Sequence, residues 1–217
     1  MPGQTTIVIG ATGMIGEALV KKLIADPAYS TIRLLVRRSV IYPDPKVEVV
    51  VVNFNDQADI AQKLGTGDSI FCCIGTTQSK VKGDKSAYRK IDFDIPVNVA
   101  RQGLQNNFKK FLLVSAVGAN PKSGNFYVKL KGEVEEALKQ LKIPSLHIFR
   151  PSLLMGKRKE YRFTEKLVQA IMPVFSVFFV GRFAKYKEVK AEDVAMAMAE
   201  AGKSDKPGVF VYEYKDF

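Results

Sequence analysis

The chain of 217 residues has no tryptophan, one histidine and two cysteines. A single imidazole, His147, and no Gly-x-Ser-x-Gly argue against a Ser-His-Asp hydrolase. His147 falls in a predicted strand and reads as structural. Cys72 and Cys73 are neighbours in an apolar run, so on a strand they face opposite sides and form no ordinary bridge with each other. They read as buried free thiols in a reducing compartment, which points to the cytoplasm. No cysteine pair or histidine cluster has the spacing of a metal site.

Long hydrophobic runs are also missing. The most apolar later stretch, residues 171–180, contains Pro173 and Ser176 and is too short to span a bilayer. It reads as a buried helix end or the wall of a substrate pocket. The N-terminus lacks a basic region followed by a long apolar stretch, so no secretory signal is expected. Acidic residues are the scarcer charge, 22 against 33 basic ones, for a net +11. Such a charge permits nucleic-acid or acidic-lipid binding. The lysines and arginines are scattered, however, with no arginine-rich run and no interleaved aromatics. A solvated basic surface that favours an anionic cofactor is the more economical reading. A hydrophobic share of 47% excludes disorder and suits one α/β domain.

The opening stretch organises the rest. The apolar run Thr5–Ile9 ends at Gly10, two more glycines follow at three-residue steps, and Ile15, Leu19 and Leu23 recur at helical spacing. That pattern reads as strand, tight turn, helix. Gly10 would allow the turn, Gly13 has no side chain to hold off a pyrophosphate, and Gly16 would let the helix pack close to the strand. The helix N-terminus then aims amides and partial positive charge at phosphates.

Strands are expected at 31–36, 47–52, 68–74, 108–116, 144–149 and 209–214. Helices are expected at 86–106 (bent at Pro96), 126–141, 160–171 and 191–201. The β-branched run at 47–52 suggests a strand covered on both faces. Alternating strands and helices give a doubly wound parallel sheet, a Rossmann fold in one domain, with residues of about 152–205 adding a small substrate-side region. Active-site residues then belong at the carboxyl ends of the strands.

At the end of the second strand stand Arg37, Arg38 and Ser39. An acid there would bind an adenosine 2′-hydroxyl; two guanidiniums suit a 2′-phosphate. NADP(H) is therefore expected over NAD(H). Asn53, after the third strand, is either an adenine contact or part of an ordinary turn in which Asp56 caps the next helix. Gly75 and Thr76 follow the fourth strand, where a backbone can approach a cofactor ribose.

The fifth strand delivers Ser115. Tyr127 and Lys131, four apart on the following helix, share a face. A phenol with an ordinary pKa near 10 is a reluctant acid, and a neighbouring ammonium is expected to lower it. Tyr127 would then pass a proton to or from a substrate oxygen, with Ser115 bonded to the same oxygen and Lys131 on the nicotinamide ribose. The same spacing occurs at Tyr42/Lys46, where prolines forbid a helix, and at Tyr186/Lys190, beyond the sixth strand. Position singles out the middle pair.

Gly10-x-x-Gly13-x-x-Gly16, Ser115, Tyr127-x-x-x-Lys131 and Arg150-Pro151-Ser152 stand in the order found in extended and atypical short-chain dehydrogenases/reductases, which the chain resembles. The segment 189–195 looks like that family's late V-x-x-x-D-V-A stretch, and the stretches 72–77, 88–92, 113–119 and 126–135 are similar to the small branch related to the Tat-interacting oxidoreductase, with similarity to NmrA-like and sugar-epimerase-like proteins. The resemblance implies that Thr12, Gly13, Met14 and Ile15 contact the pyrophosphate and Arg37, with Arg38, the 2′-phosphate. It implies Gly75 and Thr76 on the adjoining ribose side, Pro151 against the nicotinamide, and Ser115, Tyr127 and Lys131 as the catalytic set. Two positions depart from it: Asn53 stands where many relatives have an acid, and Asp92 near where many have an asparagine that helps relay protons.

The expected activity is NADP(H)-dependent hydride transfer to or from a small carbonyl or alcohol. An NADP(H)-binding regulatory module and a nucleotide-sugar epimerase are the alternatives. About 65 residues after the sixth strand leave little for a nucleotide-sugar lid. Among partners, a small-molecule substrate is expected and nucleic acid is not, and a homodimer or a regulatory protein partner stays open.

Overall fold

The computed structural model describes residues 3–152, 154–155 and 189–217. The helix expected at 160–171, the apolar stretch at 171–180 and Tyr186 lie outside the described residues.

The strands are β1 (Gln4–Ile9), β2 (Tyr29–Val36), β3 (Val47–Val51), β4 (Ser69–Cys72), β5 (Lys110–Val114), β6 (Ser145–Phe149), β7 (Leu154–Met155), β8 (Val189–Lys190) and β9 (Gly208–Tyr212). Seven of them form one sheet in the order β3-β2-β1-β4-β5-β6-β9, every pairing parallel. β7 and β8 pair separately. The chain starts mid-sheet at β1, runs outward to β3, then crosses back to β4. That reversal opens a crevice over the carboxyl ends of β1 and β4, the usual ligand position in such sheets.

The helices are α1 (Met14–Ala25), α2 (Gln57–Leu64), α3 (Lys85–Arg89), α4 (Ile95–Gln105), α5 (Phe126–Gln140) and α6 (Ala191–Gly202). Side chains of successive strand residues alternate between the two faces. Ile7 and Ile9 of β1, with Ile70 and Cys72 of β4, enter the core under α2, α4 and α5; Val8 and Phe71 enter the one under α1 and α6. Cys73 packs partly against the second core, so the two thiols do face opposite ways. Ile15, Leu19 and Leu23 bury one stripe of α1, as their spacing requires.

Two expectations are corrected. β3 is the edge strand and only half-buried: Val50 packs partly on one core and Val47 and Val49 on the other, while Val51 is 45% exposed. The helix expected over 86–106 is two helices joined by a π-turn, Lys90–Asp94, closed by the Ile95 amide on the Lys90 carbonyl. Pro96 sits in the first turn of α4 and has no N–H for a carbonyl four residues back. The wider turn absorbs that loss upstream of the proline. It also turns Asp92 into the interior.

Candidate active site

Every residue singled out as a site candidate lies at or just past the carboxyl end of a strand, or on the first turns of α1 or α5. The β1–α1 turn is built around Gly10, whose φ of +80° is left-handed and whose Cβ would lie 2.5 Å from the Cys73 carbonyl carbon. A Cβ on Gly16 would overlap the Gly10 carbonyl oxygen. Gly16 thus lets α1 close onto the turn itself rather than onto β1. The Gly13 amide donates to Gly10 O at 3.0 Å, and no side chain caps the first turn of α1. Thr12 is exposed, while the Ile15 side chain is buried and Met14 packs against the core. Backbone amides therefore line this turn, an arrangement that fits a diphosphate.

An open groove of about 710 Å³ lies past β2 and β3. Arg37, Asn53, Phe54, Lys63 and Lys90 are among its lining residues, and Arg38 is not. Arg37 and Arg38 are both exposed, and among the described residues neither has an ion-pair partner. Arg33 of β2 is committed instead to Glu48 at 2.8 Å. Asp56 does cap α2, accepting from the Ala58 and Asp59 amides. Asn53 Oδ1 accepts from the Asn55 amide at 3.1 Å while the residue still faces the groove.

Past β5, α5 begins at an Asn125 cap and presents Tyr127 and Lys131 on one face. Lys131 Nζ lies 5.9 Å from the centre of the Tyr127 ring and 2.9 Å from Asp92 Oδ1, a buried ion pair. Asp92 Oδ2 accepts from the Thr76 amide at 2.8 Å, and the Tyr88 hydroxyl donates to the Thr76 carbonyl at 2.8 Å. The Thr76 peptide is held on both sides, and Tyr88 packs edge-on against Tyr127 with centroids 6.5 Å apart. A continuous set of contacts thus links Gly10, the 73–76 segment, Asp92, Lys131 and Tyr127.

Ser115 is buried beyond β5, and its hydroxyl donates to Glu135 Oε1 at 2.5 Å. Arg150 grips the same carboxylate at 3.0 and 2.6 Å and reaches Glu213 at 3.4 Å. Pro151 is buried and its carbonyl accepts from the Val117 amide at 2.9 Å.

The electrostatics differ from the expectation at Tyr127. Burial pushes the phenol above its ordinary value, Lys131 pulls it down, and Asp92 pushes it up again; the net direction is upward. Burial alone would lower Lys131, but Asp92, joined by Tyr127, outweighs it and holds the ammonium charged well above its usual range. Burial likewise lifts the Cys72 thiol to about 12. His147 is structural: it bonds Ser145 at 3.0 Å and the Tyr212 hydroxyl at 2.9 Å and stacks on Phe210. Tyr42 is not helical, and its hydroxyl reaches Ala11 O at 3.4 Å.

Sequence reasoning misses the contacts of two carboxylates, Asp92 on Lys131 and Glu135 on Ser115. A signal exists for the second: Glu135 stands four residues after Lys131, on the same helix face. Nothing local predicts the first, because a π-turn decides where Asp92 points.

A family model described as NAD(P)H-binding matches residues 10–204. Protein HTATIP2 of Rattus norvegicus is 31% identical over 165 residues, 75% of this chain and 67% of that protein. The mitochondrial protein FMP52 of Meyerozyma guilliermondii is 31% identical over 209 residues, 94% of this chain and 90% of its own length. Among solved structures, a UDP-N-acetylglucosamine 4-epimerase from Methanobrevibacter ruminantium in complex with UDP-N-acetylmuramic acid superposes with a TM-score of 0.72 at 19% identity, covering 98% of this chain and 77% of that one. WbmH of Bordetella bronchiseptica, in complex with NAD+, gives 0.71 at 16%, covering 97% and 75%. Both share the fold.

Proposed function

Because this chain belongs to the NAD(P)H-binding family, and with HTATIP2 and FMP52 to the atypical short-chain dehydrogenase/reductase group, we propose that it is an NADP(H)-dependent oxidoreductase acting on a small carbonyl or alcohol. The observation that carries the reading is the unbroken contact path from the Gly10 turn to the Tyr127–Lys131 pair. Amides of the Gly10–Gly16 turn would hold the diphosphate, Arg37 the 2′-phosphate, and Asn53 and Phe54 the walls of the adenine end. When bound, the dinucleotide supplies or accepts a hydride. Tyr127 moves the accompanying proton at the substrate oxygen. Lys131, held by Asp92, would fix the ribose end of the site, and Ser115 would bond that oxygen only once its hydroxyl leaves Glu135. The protein is proposed to work in a reducing compartment, the cytoplasm, since both cysteines are free.

Tyr127→Phe tests the reading. Turnover on an aldehyde and ketone panel should fall by roughly 10²–10⁴, with NADPH affinity nearly unchanged. Retained turnover, or no NADPH binding by the unmodified protein, overturns it. A second reading, an NADP(H)-binding regulatory module, is favoured by one observation: Ser115 and Lys131 are both committed to carboxylates. Tight NADPH binding without turnover on any panel member would select it.

A further inference from the structure

The two groups that would stabilise a Tyr127 phenolate are both engaged elsewhere. Lys131 Nζ sits on Asp92 Oδ1 at 2.9 Å, with the two side chains 6% and 0% exposed. The Ser115 hydroxyl gives its proton to Glu135 Oε1 at 2.5 Å, and Arg150 holds that carboxylate in place from two nitrogens. Asp92 is itself fixed, because its second oxygen accepts from the Thr76 amide at 2.8 Å. A buried carboxylate at ion-pair distance offsets part of the field that an ammonium would otherwise exert on a neighbouring phenol. Among the described residues, the other groups against this pair are neutral: the Tyr88 ring on Tyr127 and the Cys72 thiol near Lys131.

We propose that Asp92 is a positioning residue that takes up the charge of Lys131, so that the resting site holds Tyr127 as a proton donor and is set to reduce a carbonyl rather than to deprotonate an alcohol. The inference rests on the oxidoreductase reading and gives it a direction and a substrate class. Tyr127 gives its proton to the carbonyl oxygen while the carbonyl carbon takes a hydride from the reduced dinucleotide, which is oxidised in the same step. The C=O π bond becomes one C–H and one O–H bond, and the phenolate recovers its proton from solvent. Epimerisation and alcohol oxidation both begin by withdrawing a hydroxyl proton and need the opposite resting state. Burial is the main cause of the upward shift of the Tyr127 phenol, and Asp92 adds to it against the pull of Lys131.

The test is a titration of Tyr127 without cofactor, followed by the ring-carbon NMR shift of labelled tyrosine and assigned by its loss in Tyr127→Phe. In the unmodified protein Tyr127 should titrate above the ordinary phenol value near 10. In Asp92→Asn, which keeps the shape and removes the charge, the midpoint should fall by at least about one unit. In turnover assays the alkaline limb of the reduction rate should move down with it. A Tyr127 that titrates at or below the ordinary value in the unmodified protein overturns the proposal, and that measurement needs no variant to fold. An unmoved or raised midpoint in Asp92→Asn overturns it as well. Failure to bind NADPH would instead sink the oxidoreductase reading and leave the titration result standing.

Discussion

The Ser115 hydroxyl donates to Glu135 Oε1 at 2.5 Å, and Arg150 donates to both oxygens of the same carboxylate, at 3.0 Å to Oε1 and 2.6 Å to Oε2. A serine expected to face substrate is thereby part of a buried ionic network. Glu135→Ala leaves the Arg150 guanidinium without its main counter-charge, and the loss of one partner of a buried pair costs about 3–5 kcal/mol. Urea denaturation should show a loss of that size. Ser115→Ala removes only a hydroxyl and should cost about 1–2 kcal/mol. Equal losses would mean that the serine, not the ion pair, holds this end of α5.

The glycine turn separates folding from binding. A Cβ on Gly16 would overlap the Gly10 carbonyl, so Gly16→Ala should destabilise the protein by about 1–3 kcal/mol. A Cβ on Gly13 would stand 3.3 Å from the same oxygen, a much milder approach. Gly13→Ala should therefore melt close to the unmodified protein while losing most of its dinucleotide affinity. A Gly13→Ala protein with full affinity would show that no diphosphate lies over that residue.

Arg37 is exposed, lines the groove and has no ion-pair partner among the described residues. A hydrogen bond to a charged group contributes about 1.5–3 kcal/mol. Arg37→Glu should weaken NADPH roughly tenfold to a hundredfold by calorimetric titration and leave NADH almost unaffected. Arg38, outside the groove, should matter much less. Equal loss for both dinucleotides would reject the 2′-phosphate role.

His147 carries a pH dependence of stability. Burial, aided by Lys110, lowers its pKa from 6.5 to about 4. Between those values the folded state binds fewer protons than the unfolded state, so stability rises with pH across the window. The contribution is present above 6.5 and lost as pH falls toward 4. The shift corresponds to about 3 kcal/mol. The stability difference between the unmodified protein and His147→Gln should shrink by about that amount from the top of the window to the bottom. A constant difference would place a charged imidazole in the core.

The sequence by itself determined the parallel sheet and most of the described helices, and it put the candidate site residues near the carboxyl ends of the strands. Strand and helix periods follow from which residues must leave water, and Gly10, Gly13 and Gly16 mark a turn that side chains would obstruct. Residues 37, 53, 75, 115, 127 and 131 fall near one edge because parallel strands all end there. Only the tertiary structure decided which strand is the edge and which charges meet. β3 has the composition of a covered strand, yet its exposure depends on the absence of a further neighbour in the sheet. Asp92 meets Lys131 across 39 residues of chain because a π-turn before Pro96 turns it inward, and Ser115 meets Glu135 because β5 and α5 pack together. Local pattern fixes periodicity and turns. The charge state of a phenol depends on which buried carboxylate lies beside its lysine, and that is a property of packing.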